Sequence, residues 1–160
     1  MFKLGKLTDY GTVLMTALAA EPARLQTSQE LATSTRLSAP TVAKLLKLLA
    51  KAGLVEALRG AHGGYRLARS PDRISVADIV SALEGPIALT ECAVHRGCGI
   101  ENHCGVRSNW RVINDAIRSA LEAVTLAQMT LPLRRGTTTR THAANSPDIP
   151  IRFSPSPARG

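Results

Sequence analysis

The sequence predicts a mainly α-helical fold: a winged helix-turn-helix with a two-stranded β wing, then a long C-terminal helix. Three observations predict it. Apolar residues make up 44% of the 160 residues but aromatics only 3%, so Leu, Val, Ile and Ala must build the core, and that favours helices. Apolar positions recur at steps of three and four along most of the chain up to about residue 130. Two short strand-like runs, Leu54–Leu58 and Tyr65–Ala68, flank a Gly-rich tip directly after the third helical segment.

The first helix is expected from Thr8, with Leu7, Tyr10, Leu14, Ala17 and Leu18 at helical spacing, and Glu21-Pro22 ends it. Thr27 followed three residues later by Glu30 is a capping-box pattern and opens a short second helix. A turn at Thr35–Leu37 leads to Ser38, which is expected to cap a third helix with Pro40 in its first turn. Val42, Leu45, Leu46 and Leu49 form its buried stripe, Lys44, Lys47 and Lys51 lie off it, and Gly53 stops it. The hairpin follows, with RGAHGG at its tip, and Ser70-Pro71-Asp72 is a turn. Ser75 with Asp78 is a second cap signal, for a helix carrying Val76, Ile79, Val80 and Leu83 and closed by Gly85-Pro86. Residues 87–105 have no period. From about 106 to 129, Trp110, Ile113, Ile117, Leu121 and Val124 predict one long helix. From Leu131 the chain turns to Thr, Pro, Arg and Ser, a composition expected to be disordered.

Net charge is +8 and unevenly spread: residues 1–70 carry +6, residues 71–130 carry −2, and the tail carries +4. A basic N-terminal half suits a polyanion, although charge alone fits a solvated surface equally well. The order of elements favours DNA. The third helix anchors itself with leucines and presents Ser38, Thr41, Lys44 and Lys47 to a major groove. The hairpin tip carries Arg59 and His62 between glycines that allow close approach, and an arginine there suits a minor groove. No run of 18 apolar residues exists, so no membrane span is expected, and the N-terminus lacks the apolar stretch of a signal peptide. A cytoplasmic protein is expected. Its odd, low cysteine count fits a reducing compartment.

The only three cysteines, Cys92, Cys98 and Cys104, sit at two equal steps of six. Clustered thiolates hold metals. Structural zinc sites use tight pairs and usually four ligands, whereas an iron–sulfur cluster spreads its ligands and suits longer loops. Three thiolates leave one position open, where a sensor reacts. A zinc-binding or redox-responsive repressor of the same fold is the alternative, with His95 or His103 completing a four-ligand site. No Gly-rich phosphate loop and no acid–base pair is present, so an enzyme is not expected.

LTDYG, ELA, KAGLV, RGAHGGYRLAR, ISVADIVSALEGP and the evenly spaced cysteines together carry a resemblance over residues 1 to about 130. The chain resembles the iron–sulfur-sensing winged-helix regulators that include IscR and NsrR. Its start and wing look most like the subgroup that regulates SUF iron–sulfur assembly. The resemblance implies a homodimeric repressor of a double-stranded DNA operator, with one two-iron or four-iron cluster per subunit and the long helix packed against its twin. The IscR pattern places a histidine three residues after the third cysteine, where this chain has Arg107. Asp9, Glu91, His95 and His103 are candidates for the fourth ligand. Asp9 leads, because it matches the N-terminal aspartate of NsrR-like relatives. The expected organisation is a DNA-binding domain over 1–85, a cluster-binding loop over 86–105, a dimerisation helix over 106–130 and a disordered basic tail over 131–160.

Overall fold

The computed structural model describes residues 4–90 and 105–131, with Arg107 described by its backbone alone. Helix α1 spans Lys6–Ala20, beginning at Lys6 rather than Thr8. No side chain of its own caps it. Glu84, 79 residues further along the chain, does so instead. The Gly5 N–H donates to Glu84 Oε1 at 3.0 Å and the Thr8 hydroxyl to the same oxygen at 2.6 Å. A carboxylate at a helix N-terminus meets unpaired N–H groups and the positive end of the dipole.

Helix α2 (Ser28–Thr35) has the capping box the sequence predicts, with Thr27 and Glu30 satisfying each other's backbone N–H groups. Arg24 braces it, reaching Glu30 at 2.7 Å and Glu21 at 3.2 Å. Arg36, at φ 57°, closes α2 in a left-handed conformation and turns the chain into α3 (Ala39–Lys51). Val42, Leu45, Leu46 and Leu49 are fully buried, as the stripe predicts. Ser38 occupies the N-cap position but makes no capping bond: its hydroxyl pairs with the Thr41 hydroxyl at 2.8 Å, so the two partner each other instead of the helix end.

The wing consists of β1 (Val55–Leu58) and β2 (Gly64–Leu67), antiparallel, with Val55 opposite Leu67 and Leu58 opposite Gly64. Its outer edge is not free at Tyr65. Gln26 donates to the Tyr65 carbonyl at 2.9 Å and accepts from the Tyr65 N–H at 2.8 Å, adding one rung of a third strand. Gly64 makes this possible, because a Cβ there would sit 2.9 Å from the Gln26 carbonyl oxygen. A short 3-10 turn (Pro71–Arg73) precedes α4 (Val76–Glu84), which opens with the expected Ser75–Asp78 capping box. Helices α1 and α4 pack closely at Gly11, where a Cβ would overlap Leu83.

The C-terminal segment departs from the single long helix of the sequence reading. Helix α5 spans Arg107–Glu122 and stops. Thr125 then caps a separate helix, α6 (Leu126–Thr130), through a capping box with Gln128. Thr125 bridges Ser75, the Val76 N–H donates to the Val124 carbonyl at 2.9 Å, and the Leu126 N–H donates to the Ile74 carbonyl at 2.8 Å. The break turns Leu126 inward to complete burial, in one core with Leu14, Leu45, Leu49 and Ile74. Leu126 thus joins the helix-turn-helix core, while Val124 stays exposed and is held through its backbone.

Candidate nucleic-acid interface and metal centre

The buried leucines of α3 fix which of its residues meet solvent. Ser38, Lys44, Lys47 and Lys51 are exposed and Thr41 is half-buried, so one helix face carries two hydroxyls and three cations. Arg36 is exposed at the turn before α3. No Asp or Glu lies between Glu30 and Glu56, so no carboxylate within that stretch offsets these charges. Arg59 and His62 are both exposed at the wing tip, as the sequence predicts. Arg59 makes no ion pair among the described residues. Arg66, on the adjoining strand, is held by Glu56 directly across the ladder at 3.0 Å. The wing therefore keeps one arginine paired along its stem and presents another at its end.

Cys92, Cys98 and Cys104, with Glu91, His95 and His103, lie outside the described residues. Asp9 is described: it sits exposed in the first turn of α1. Three thiolates are soft donors of the kind an iron–sulfur cluster takes, and an exposed carboxylate such as that of Asp9 is a harder donor.

Two side chains that the sequence reading passed over position the flanks of the cysteine segment. Asn114 on α5 is only 8% exposed, and its Oδ1 accepts the Leu89 N–H at 3.2 Å. Glu84 ties the end of α4 to the start of α1, the helix that carries Asp9. The chain thus leaves a unit clamped to α1 and touches α5 before the cysteines begin. Neither partner is close in sequence. The one signal for Asn114 was an asparagine beside the apolar stripe of α5.

One face of α5 carries an apolar, partly exposed stripe, away from its charged residues. Trp110 is 39% and Ile113 44% exposed, and Ile117 and Leu121, on the same face, are half-buried. Large side chains in this state on one helix mark a contact surface. No helix among the described residues is long and apolar enough to cross a membrane.

Known proteins share this fold. The Rrf2 family model, described as an iron-dependent transcriptional regulator, matches residues 4–131. The HTH-type transcriptional regulator IscR of Aliivibrio salmonicida is 28% identical over 167 residues, covering 92% of this chain and 99% of that protein. The structure of CymR, the global cysteine regulator of B. subtilis, is 33% identical with a TM-score of 0.64, over 81% of this chain and 97% of that one. The structure of T. potens IscR is 32% identical with a TM-score of 0.60, over 80% of this chain and 85% of that one. The chain is not an enzyme: it belongs to the Rrf2 family of transcriptional regulators.

Proposed function

We propose that this chain is a cytoplasmic, homodimeric repressor whose operator affinity depends on an iron–sulfur cluster held by Cys92, Cys98 and Cys104, with Asp9 as fourth ligand. The observation that carries the reading is the placement of the three-cysteine segment. It lies between α4, clamped to the Asp9 helix through Glu84, and α5, whose apolar face stands open for a twin. A cluster of this kind supplies a centre that responds to iron supply, oxidants or nitric oxide. The chain's own residues convert that into a signal. While the three thiolates are engaged, the segment is pinned at both ends. When they are released, its hold on α4 and α5 loosens, and the two DNA-binding units change their relative position. The Asp9 carboxylate, a harder donor than thiolate, is the first to let go.

On DNA, Ser38, Thr41, Lys44 and Lys47 face the major groove, while Arg59 and His62 lie at the flanking minor groove. Regulation of iron–sulfur assembly genes is the role this ligand set suits. The kinship with CymR keeps a second reading, a cluster-free or zinc-bound repressor, in view.

The test is anaerobic purification followed by an absorption spectrum, an iron and zinc count, and DNA binding on the same sample. A brown protein with sulfide-to-iron bands, whose DNA affinity shifts in the Cys92→Ala, Cys98→Ala, Cys104→Ala triple variant, supports the proposal. A colourless protein with stoichiometric zinc favours the second reading. Identical DNA binding by loaded and triple-variant protein refutes the switch. Arg59→Ala should weaken binding most on A/T-rich flanks, and equal loss on all sequences would reduce Arg59 to a phosphate contact.

A further inference from the structure

The side chains absent from α3 and the wing are as informative as those present. From residue 31 to residue 55 there is no Asp or Glu, and from residue 31 to residue 101 no Asn or Gln. Asn and Gln are the side chains that read adenine through paired hydrogen bonds, and carboxylates are those that accept from the cytosine amino group. Helix α3 holds neither type, and the wing's Glu56 is occupied by Arg66. Ser38 and Thr41 bond to each other, and a hydroxyl accepts or donates to any base.

The solvent face of α3 also holds Ala39 and Ala43, both exposed. Four residues apart, they lie one above the other, and Lys47 continues the same row. Lys44 is exposed on the adjoining row. Two methyl groups at this end of the helix leave room for the backbone to approach base edges closely, and alanine's natural partner in the major groove is the thymine C5-methyl.

We infer that Ala39 and Ala43 determine specificity by packing on thymine methyl groups, beside guanines read by Lys44 and Lys47. Adenine is then recognised only as the partner of a contacted thymine. Each half-site carries a guanine next to thymine on the contacted strands, and no position is fixed by direct contact with adenine or cytosine. The inference rests on the proposal that α3 enters the major groove.

The experiment separates the two. Full-length protein first selects its preferred duplex from a random-sequence library. Each thymine of a half-site is then replaced singly by deoxyuridine, which removes only the methyl group, and affinity is measured by fluorescence anisotropy. One or two thymines per half-site should each lose about fourfold on this replacement, the factor expected from one buried methyl group. That loss should vanish at the matching thymine in Ala39→Gly or Ala43→Gly. The wild-type result does not depend on either variant folding. If uracil leaves affinity unchanged at every position, or if the loss persists in both glycine variants, the alanines do not read thymine, although DNA recognition stands. If no duplex is enriched, α3 does not read DNA and both proposals fall.

Discussion

Replacing Glu84 by Ala tests the link between α4 and α1 directly. The carboxylate accepts two hydrogen bonds, from the Gly5 N–H and the Thr8 hydroxyl. Hydrogen bonds to a charged acceptor contribute about 1.5–3 kcal/mol each. Thr8 is 1% exposed, so its hydroxyl is left without a partner when Glu84 goes. Glu84 itself is exposed, and water replaces much of the Gly5 bond. The expected loss is therefore about 2 kcal/mol for the pair together, and Tm falls by about 6 °C for a chain of this size. Urea denaturation and calorimetry measure it. Thr8→Val removes the hydroxyl while keeping the shape of the side chain, and Glu84→Gln keeps an acceptor oxygen without the charge. In a double-mutant cycle, Glu84→Ala and Thr8→Val should couple by about 1 kcal/mol. Additivity within about 0.3 kcal/mol would show that the two groups do not act on one another and would refute the reasoning.

Leu126→Ala should cost about 2–5 kcal/mol, since Leu126 is fully buried, and a loss under about 1 kcal/mol would mean that α6 does not enter the core. Ile113→Asp places a charge on the apolar face of α5 and should convert the proposed homodimer to monomer in analytical ultracentrifugation without unfolding α1–α4. Unchanged sedimentation would place the dimer contact elsewhere. The backbone and hydroxyl bonds from Thr27 hold the Glu30 carboxyl below its ordinary value of 4.5. A lowered value means that its contribution is complete above pH 4.5 and lost as pH falls through the lowered value. Acid titration followed by circular dichroism should show that Thr27→Ala shrinks this acid-side decline, and an identical decline in the variant would contradict the role of the cap.

Local signals carried most of the fold. Thr27 with Glu30 and Ser75 with Asp78 are pairs three residues apart, and both formed the predicted boxes because each is closed by neighbours within one turn. The α3 stripe was legible because four apolar residues face a single core. Ser38 was misread for a related reason: a serine before a helix has two nearby partners, and the Thr41 hydroxyl won over the backbone. The break after Glu122 was missed because Val124 keeps the period of α5, although Thr125 and Gln128 spell a capping box of their own. What draws the chain inward there is pairing with Ile74 and Val76, some fifty residues earlier. The same distance effect hid Glu84 and Asn114, whose partners lie 79 and 25 residues away. On α3 and at the wing tip, residue identity and exposure were both readable. The cysteine pattern was plain in the sequence but lies outside the described residues, and Asp9 is the one proposed ligand among the described residues.

The single rung between Gln26 and Tyr65 has a mechanical consequence. It fastens the second strand of the wing, near its tip-side end, to the residue immediately ahead of the α2 cap, so wing and helix-turn-helix share one frame. A strand pinned at its edge cannot swing independently of the helix it is pinned to. The span between Arg59 and the lysines of α3 is thereby set within each subunit, like the fixed gap of a caliper. In the proposed dimer, a cluster-driven switch would then act by changing how two such calipers stand to one another, altering the spacing of half-sites while leaving the reading of each half-site intact.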